Sequence, residues 1–430
     1  MPSRDEAWRS MRRGSLIDPD DESLEIHEAL AARRRSEPLC PELAAGLERL
    51  RSWRFMDREP EQLAKFGGAA IPPLLEILEH GEGPARAGAA VALRALRPRW
   101  APVASALARR LTDPDAALVI ESLRALQRLE TWPAGVALRV AEGLRHRSDT
   151  VRQWTLHALR RHSDVAAPAV PIALEVLRHG SDWKGRRDIL SLLARIGPGA
   201  AGALDDLLCA LRHEPWNDLG LVIYTISRLG RKGRPAVEPL LALLESPDRL
   251  HLRRHVFAAL GAIGDRRAGP TVFAHTLSEQ EPGVLRPAVL ALGRLRHRPA
   301  AKLVVHLADS EEPRLRRASL EALGLLRVRS AGVRRCLLRY ANHRDWRTRL
   351  AAVSSIQASG LRGRAVRSAL LDRLGDGSAR VRAAAIAALL ELGPEVQSAA
   401  TALAKHGRRT VRNAAKELLA KLRAKSDVSG

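Results

Sequence analysis

Apolar residues recur with a helical period along most of the chain, and the helical segments themselves recur about every 33 residues. Residues 381–393 give the clearest example, reading Val-Arg-Ala-Ala-Ala-Ile-Ala-Ala-Leu-Leu-Glu-Leu-Gly. With its first residue counted as position zero, positions 0, 4, 7, 8 and 11 lie on one face of an α-helix. Position eight is Leu in nine of eleven such segments, and position seven is Ala in seven. The segments begin at residues 85, 118, 151, 185, 218, 252, 284, 315, 346, 381 and 411.

A second amphipathic stretch precedes each of these helices, as at Ile71–Leu78 and Val237–Leu244. Short turns with helix-stopping and N-capping residues separate the two, as in Asp376-Gly377-Ser378. One such hairpin cannot bury its own apolar face, whereas a stack of hairpins buries a continuous core. The pattern therefore predicts an all-α protein, an α-solenoid of about eleven helical hairpins over residues 66–424.

Two connecting segments in this pattern resemble those of HEAT repeats, in particular the short repeats of bacterial phycobilisome-lyase-like proteins. The segment Leu260–Ala268 resembles their join between units, and Asp376–Arg382 resembles their turn between helices. The resemblance implies a right-handed superhelix whose second helices line the concave surface. It also implies that an Arg at position one is a structural ladder residue, paired with a turn carboxylate such as Asp149, Asp248, Asp309 or Asp376. The ladder residues predicted in this way are Arg86, Arg152, Arg186, Arg253, Arg316, Arg347, Arg382 and Arg412.

The two ends of the chain do not follow the repeat. Residues 1–65 contain an acidic cluster, Asp18–Glu22, and an amphipathic stretch, Pro41–Met56. We expect them to form a helical cap over the first hairpin, with a frayed start of about 15 residues. Residues 425–430 are expected to be a disordered tail.

Charge changes the picture in the second half of the chain. Of 71 basic and 48 acidic residues, 34 basic and only 14 acidic ones lie in residues 251–430. A field of this sign attracts nucleic acid, anionic lipid or an acidic protein. Only eight of the basic residues are Lys, a bias that suits phosphate binding but also fits the codon usage of a GC-rich genome.

Arginines near the starts of the second helices are the candidate contacts for such a partner. Position two points away from the core, and helix N-termini favour anions. Arg349 in the ninth hairpin and three residues of its first helix are added to the arginines at that position. The predicted binding residues are Arg187, Arg254, Arg286, Arg317, Arg334, Arg335, Arg339 and Arg349. Trp346, which opens one of these helices, is interpreted either as a packing residue at the hairpin end or as a stacking surface for a base.

Signatures of catalysis and cofactor binding are not supported by their context. Gly197–Gly202 matches a dinucleotide fingerprint but follows a helix rather than a strand. His251 and His255 have the spacing of metal ligands, but Arg253 and Arg254 lie between them. Three widely spaced cysteines form neither a disulfide framework nor a zinc motif. No catalytic residue, metal or cofactor is therefore predicted.

These observations favour a non-catalytic, cytoplasmic scaffold without a membrane span or a small-molecule substrate. Its partner is expected to be an acidic protein surface or a nucleic-acid backbone, bound by the basic C-terminal half, residues 251–424. The alternative is a DNA-repair enzyme similar to the HEAT-like alkylpurine DNA glycosylases, which use Trp, Asp and Arg on the concave face.

Overall fold

A computed structural model of the chain describes residues 39–50, 58–97, 101–179, 183–212 and 218–429. All regular elements within these ranges are α-helices or 3₁₀ helices, as the apolar period predicts. The chain divides into two compact units, residues 1–203 and residues 204–430, called unit 1 and unit 2 below.

The start of unit 1 contains two helices that lie outside the repeat, α1 (Pro41–Arg49) and α2 (Glu59–Gln62), followed by a 3₁₀ segment, Leu63–Ala70. Leu43 and Leu63 are buried here, and Arg49 forms an ion pair of 2.6 Å with Glu59. The role of this region as a cap remains a prediction, since the acidic cluster and the rest of residues 1–38 lie outside the described part.

Helical pairs follow in both units, and in each pair the second helix is longer than the first. In unit 1 the pairs are α3 (Ile71–His80) with α4 (Pro84–Leu96), α5 (Ala101–Arg109) with α6 (Ala116–Arg128), α7 (Val136–Glu142) with α8 (Asp149–Arg161), and α9 (Val170–His179) with α10 (Trp183–Ile196). In unit 2 they are α11 (Leu204–Arg212) with α12 (Leu219–Arg228), α13 (Val237–Glu245) with α14 (Arg253–Ile263), α15 (Gly269–Ser278) with α16 (Pro282–Arg294), α17 (Ala301–Leu307) with α18 (Pro313–Leu326), α19 (Ala331–Ala341) with α20 (Trp346–Ser359), α21 (Arg364–Asp372) with α22 (Ala379–Leu392), and α23 (Gln397–His406) with α24 (Arg409–Ser429).

The predicted helix–turn–helix pattern is confirmed, and the number and handedness of the repeats stay predictions. At the C-terminus α24 continues through Ser429, although the sequence predicts a disordered tail from residue 425. Residues 424–429 contain neither Gly nor Pro, so nothing in this stretch stops the helix.

The second helices of each unit pack side by side in one layer. Their apolar positions form the core, with Leu260, Leu292 and Leu323 completely buried. In unit 2 small residues bring neighbouring backbones close together. A Cβ atom on Gly261, Gly293 or Gly324 would lie 2.9 Å from a Cα atom of the next second helix, at Ala291, Ala322 or Ser355 respectively.

Carboxylate side chains fix the starts of several second helices. Asp345 accepts hydrogen bonds from the backbone N–H groups of Arg347 and Thr348 at 3.2 and 3.1 Å. Glu312 accepts bonds from the N–H groups of Arg314 and Leu315 in the same way. These caps set where each helix begins and therefore which side chains its first turn presents.

Candidate anion-binding groove

Two adjoining hollows run along the second-helix layer of unit 2. The larger has a volume of about 870 Å³ and the smaller one of about 530 Å³, and both are lined by Ala258, Arg286, Pro287 and Arg314. We call the two together the groove. It crosses α14, α16, α18 and α20 and reaches Arg380 at the start of α22.

The charged lining of the groove is almost entirely arginine. The basic row comprises the arginines within the first five residues of their helices, namely Arg254, Arg286, Arg314, Arg317, Arg347 and Arg380. Arg294, the last residue of α16, adds a seventh guanidinium. The carboxylates of the lining are Glu312 and Glu321. The groove therefore carries a large excess of positive charge.

Internal carboxylates neutralise little of this charge. Glu312 is engaged at the N-terminus of α18, and Asp345 lies 3.8 Å from Arg317 while it caps α20. Burial raises the pKa of the Glu312 and Asp345 carboxyls. Backbone N–H donors, the Thr348 hydroxyl beside Asp345 and nearby arginines outweigh burial and hold both pKa values below their usual range, so both carboxyls stay ionised at neutral pH. Three other arginines of the groove, Arg286, Arg294 and Arg314, have no carboxylate of the described residues within 4.0 Å.

Trp346 lies in the groove between two members of the basic row. The guanidinium of Arg347 is 4.8 Å from the centre of a Trp346 ring, and that of Arg380 is 5.6 Å away. Such cation–π contacts hold both arginines in place without neutralising them. Trp346 therefore supports two arginines of the basic row.

His255 lies beside Arg254 in the smaller hollow. Burial lowers the pKa of its imidazole, and the positive charge of Arg254 lowers it further. The imidazole is therefore neutral at pH 7, and the permanent charge of the groove comes from arginine.

Most of the predicted ladder arginines make internal contacts. Arg86 pairs with Asp113 at 2.6 Å, and Arg253 lies 3.5 Å from Glu279. Another three donate to a carbonyl oxygen six residues earlier in the chain. They are Arg152 with His146 at 2.7 Å, Arg316 with Ser310 at 2.9 Å and Arg382 with Asp376 at 2.7 Å. Arg152 also pairs with Asp149.

The ninth hairpin exchanges the roles predicted for two arginines. Arg349, predicted to contact the partner, forms bidentate bonds of 2.7 and 2.8 Å with Asp376 and donates to the carbonyl of His343, six residues earlier. Arg347, predicted as a ladder residue, lies exposed in the groove. The roles are exchanged because the repeat in this hairpin begins two residues later than the sequence pattern indicates. The buried residue at position zero is Thr348, not Trp346, and it corresponds to the buried Leu315 and Val381 of the neighbouring second helices.

Other predicted binding residues lie elsewhere. Arg339 of α19 pairs with Asp309, and Arg334 and Arg335 are exposed on the same first helix, outside the lining of the groove. Arg187 and the predicted ladder residue Arg186 are in α10 of unit 1. Arg412 is exposed near the start of α24. Of the predicted binding residues, Arg254, Arg286 and Arg317 are the ones that meet in the groove.

Four groove arginines are not among the predicted binding residues: Arg294, Arg314, Arg347 and Arg380. With the ninth hairpin counted from Thr348, Arg314, Arg347 and Arg380 each directly precede the buried residue that opens the pattern, and they recur every 33 residues. The corrected register was thus the signal that could have found three of them.

The described residues contain no group of three or more His, Cys, Asp or Glu side chains arranged to hold a metal ion. None of their helices has both the length and the apolar character needed to cross a membrane.

Comparison with known proteins identifies the repeats. A family model for HEAT repeats matches residues 204–293, 270–357 and 300–389. No curated protein sequence matches the chain. Among solved structures, importin beta aligns over 94% of this chain and 67% of its own length, with a TM-score of 0.56 and 16% sequence identity.

Two further structures have lower TM-scores. A structure of Kap95p with RanGDP covers 94% of this chain and 62% of its own, at a TM-score of 0.49 and 12% identity. An engineered protein covers 74% of this chain and 100% of its own, at 0.44 and 17%. At such identities the importin beta likeness concerns the fold alone, which is that of an α-solenoid. The chain therefore contains HEAT repeats, which are matched over residues 204–389.

Proposed function

We propose that the protein is a non-catalytic scaffold whose groove in unit 2 binds an anionic macromolecule. HEAT-repeat solenoids are typically scaffolds for protein interaction, and the groove gives this one a charged site. The observation that carries the proposal is the convergence of seven arginines and only two carboxylates on one concave surface.

The position of the arginines strengthens this argument. Each member of the basic row lies at the N-terminal end of its helix, where the macrodipole disfavours a cation and favours an anion. An anion in the groove would interact favourably with the guanidinium groups and with the helix ends together. A concave surface also focuses the field of its charges more than a flat one.

No observation in the described residues favours the DNA glycosylase alternative. Trp346 is partly exposed in the groove, and two guanidinium groups contact its ring. The acidic residues of the lining are an N-capping carboxylate, Glu312, and Glu321, which lies beside the row. Binding without chemistry is therefore the function that this geometry supports.

The test compares one triple-site variant and one double-site variant of the full chain. In the first, Arg286→Ala, Arg314→Ala and Arg347→Ala are combined; in the second, Arg334→Ala and Arg335→Ala remove exposed arginines outside the groove. Binding of labelled polyglutamate and of a 20-nucleotide DNA is measured by fluorescence anisotropy at about 50 mM salt, where surface charges are weakly screened.

We expect the groove variant to bind the better of the two probes at least about tenfold more weakly, since each exposed charge contributes up to about 1 kcal/mol. The control variant is expected to stay within about twofold of the wild type. Equal losses in both variants, or no binding of either probe by the wild type, would show that the groove is not the anion site.

A further inference from the structure

We infer that the occupant of the groove is an acidic amphipathic segment of a protein partner. This inference rests on the proposed function and adds the chemistry of the partner. It follows from the floor of the groove, which charge alone does not explain.

The floor beside the basic row is apolar and partly open. Pro287, Leu290, Leu350 and Ala351 line the larger hollow, and all four are only half-buried. Ala258 is exposed next to them. Apolar side chains gathered in a concave surface and rimmed by charge are typical of a protein-binding site. A purely ionic partner would leave this surface in water.

Charge and apolar surface alternate along the same helix faces. Leu290 follows Arg286 by four residues in α16, and Leu350 and Ala351 follow Arg347 by three and four residues in α20. Residues at these spacings are neighbours on one side of a helix. A partner that covers both helices must therefore present carboxylates beside apolar side chains. An amphipathic acidic segment has this arrangement.

The aromatic residues of the groove argue against nucleic acid as the occupant. Single strands bind to basic grooves chiefly where bases stack on open aromatic faces. Phe257 is completely buried, and Trp346 is already in contact with Arg347 and Arg380. A duplex would contact the arginines through its phosphates but would have no use for Leu290 and Leu350.

The experiment uses a designed peptide of about 15 residues, with Leu on one helical face and Glu on the other, and two derivatives of it. One derivative replaces Leu by Ser, and the other replaces Glu by Gln. Their affinities for the full chain are compared with those of a 20-nucleotide single strand and a 20-base-pair duplex. A floor variant, Leu290→Asn with Leu350→Asn, is measured beside the basic-row and Arg334/Arg335 variants described above.

We expect the parent peptide to bind more tightly than either nucleic acid. Each derivative should bind about tenfold more weakly than the parent, because one lacks the charge and the other the apolar contact. The floor variant should bind the parent peptide about tenfold more weakly than the wild type does, and its affinity for the Ser derivative should be unchanged. The peptide derivatives keep the result decisive even if the floor variant fails to fold, which its circular dichroism spectrum reports.

Two outcomes would overturn the inference, and they are distinct. If a nucleic acid binds more tightly than the peptide and depends on the basic row but not on the floor, the groove is an anion site and the partner class is wrong. If the Ser derivative binds as tightly as the parent, the floor takes no part and the inference also fails. If the wild-type chain binds neither the peptide nor either nucleic acid, the proposed function itself is refuted.

Discussion

The close approach of the second helices in unit 2 makes a prediction whose sign is opposite to ordinary helix propensity. Gly293 lies in the last turn of α16, and replacement of Gly by Ala within a helix normally stabilises the helix by up to about 1 kcal/mol. The Cβ of an alanine at this position would lie 2.9 Å from the Cα of Ala322 and 3.2 Å from its carbonyl oxygen. Carbon atoms in contact normally lie about 3.5–4.0 Å apart.

The two helices must therefore separate by more than half an ångström at this contact, or the helix must bend. Overpacking of this kind costs about 1–3 kcal/mol. After subtraction of the propensity gain, Gly293→Ala is expected to lower the free energy of unfolding by up to about 2 kcal/mol. Gly261 and Gly324 repeat the contact, so their alanine variants should behave alike.

Gly332→Ala is the matched control, because Gly332 is also helical and a Cβ there has no atom within 4 Å. Urea unfolding followed by circular dichroism gives the midpoints of all four variants. We expect the control to be neutral or slightly stabilising and the three packed glycines to be destabilising. If Gly293→Ala is as stable as Gly332→Ala, the close packing of this layer is refuted.

Three further predictions concern internal contacts. Glu121 is 1% exposed and accepts bonds of 2.7 Å from both Arg94 and Arg124, so Glu121→Gln should destabilise the protein by about 3 kcal/mol, whereas Glu142→Gln at an exposed pair should cost less than about 1 kcal/mol in the same urea titration. Arg349→Lys loses the bidentate bonds to Asp376 and should cost about 1–3 kcal/mol, while Arg347→Lys should be nearly neutral; equal effects would contradict the exchanged roles. His162 is stacked on Trp132 at 4.2 Å, and burial, helped by the charge of Arg161, lowers the pKa of its imidazole. The unfolded chain therefore binds this proton more readily, and the stability that His162 contributes above pH 6.5 is lost as the pH falls, with a slope of at most about 1.4 kcal/mol per pH unit. His162→Phe keeps the stack and should flatten the fall in urea midpoint between pH 7 and pH 5; an unchanged pH dependence would show that this imidazole is not the titrating group.

The repeat could be predicted from the sequence because one apolar face recurs in helix after helix. Leu260, Leu292 and Leu323 were assigned to the core by position alone, and all three are completely buried. Gly261, Gly293 and Gly324, the residues that directly follow these leucines, bring neighbouring second helices into close contact.

The site could be predicted only in part, since a shift of two residues turns a side chain to another face of its helix. In the ninth hairpin a polar residue, Thr348, occupies the buried opening position because its hydroxyl donates to Asp345 at 2.9 Å. The apolar pattern therefore appeared to begin at Trp346. Counted from Trp346, the buried position eight falls on Ser354, whereas Ile356 occupies it in the structure. The same shift exchanged the predicted roles of Arg347 and Arg349.

The pairing of arginines with particular carboxylates also could not be predicted from the sequence. Arg349 and Asp376 are 27 residues apart, and their pairing depends on how neighbouring hairpins stack. Charge counting gave the sign of unit 2 but did not separate arginines that are neutralised internally, such as Arg339, from those that remain available, such as Arg286 and Arg314.

The most direct test of the central claim is the position of a bound polyanion, measured by hydrogen exchange of the full chain with and without polyglutamate. The account predicts slower exchange in the N-terminal halves of α16, α18 and α20, where the basic row lies, and unchanged exchange in α19, which carries Arg334 and Arg335. Protection of α19, or protection confined to residues 39–203, would contradict it.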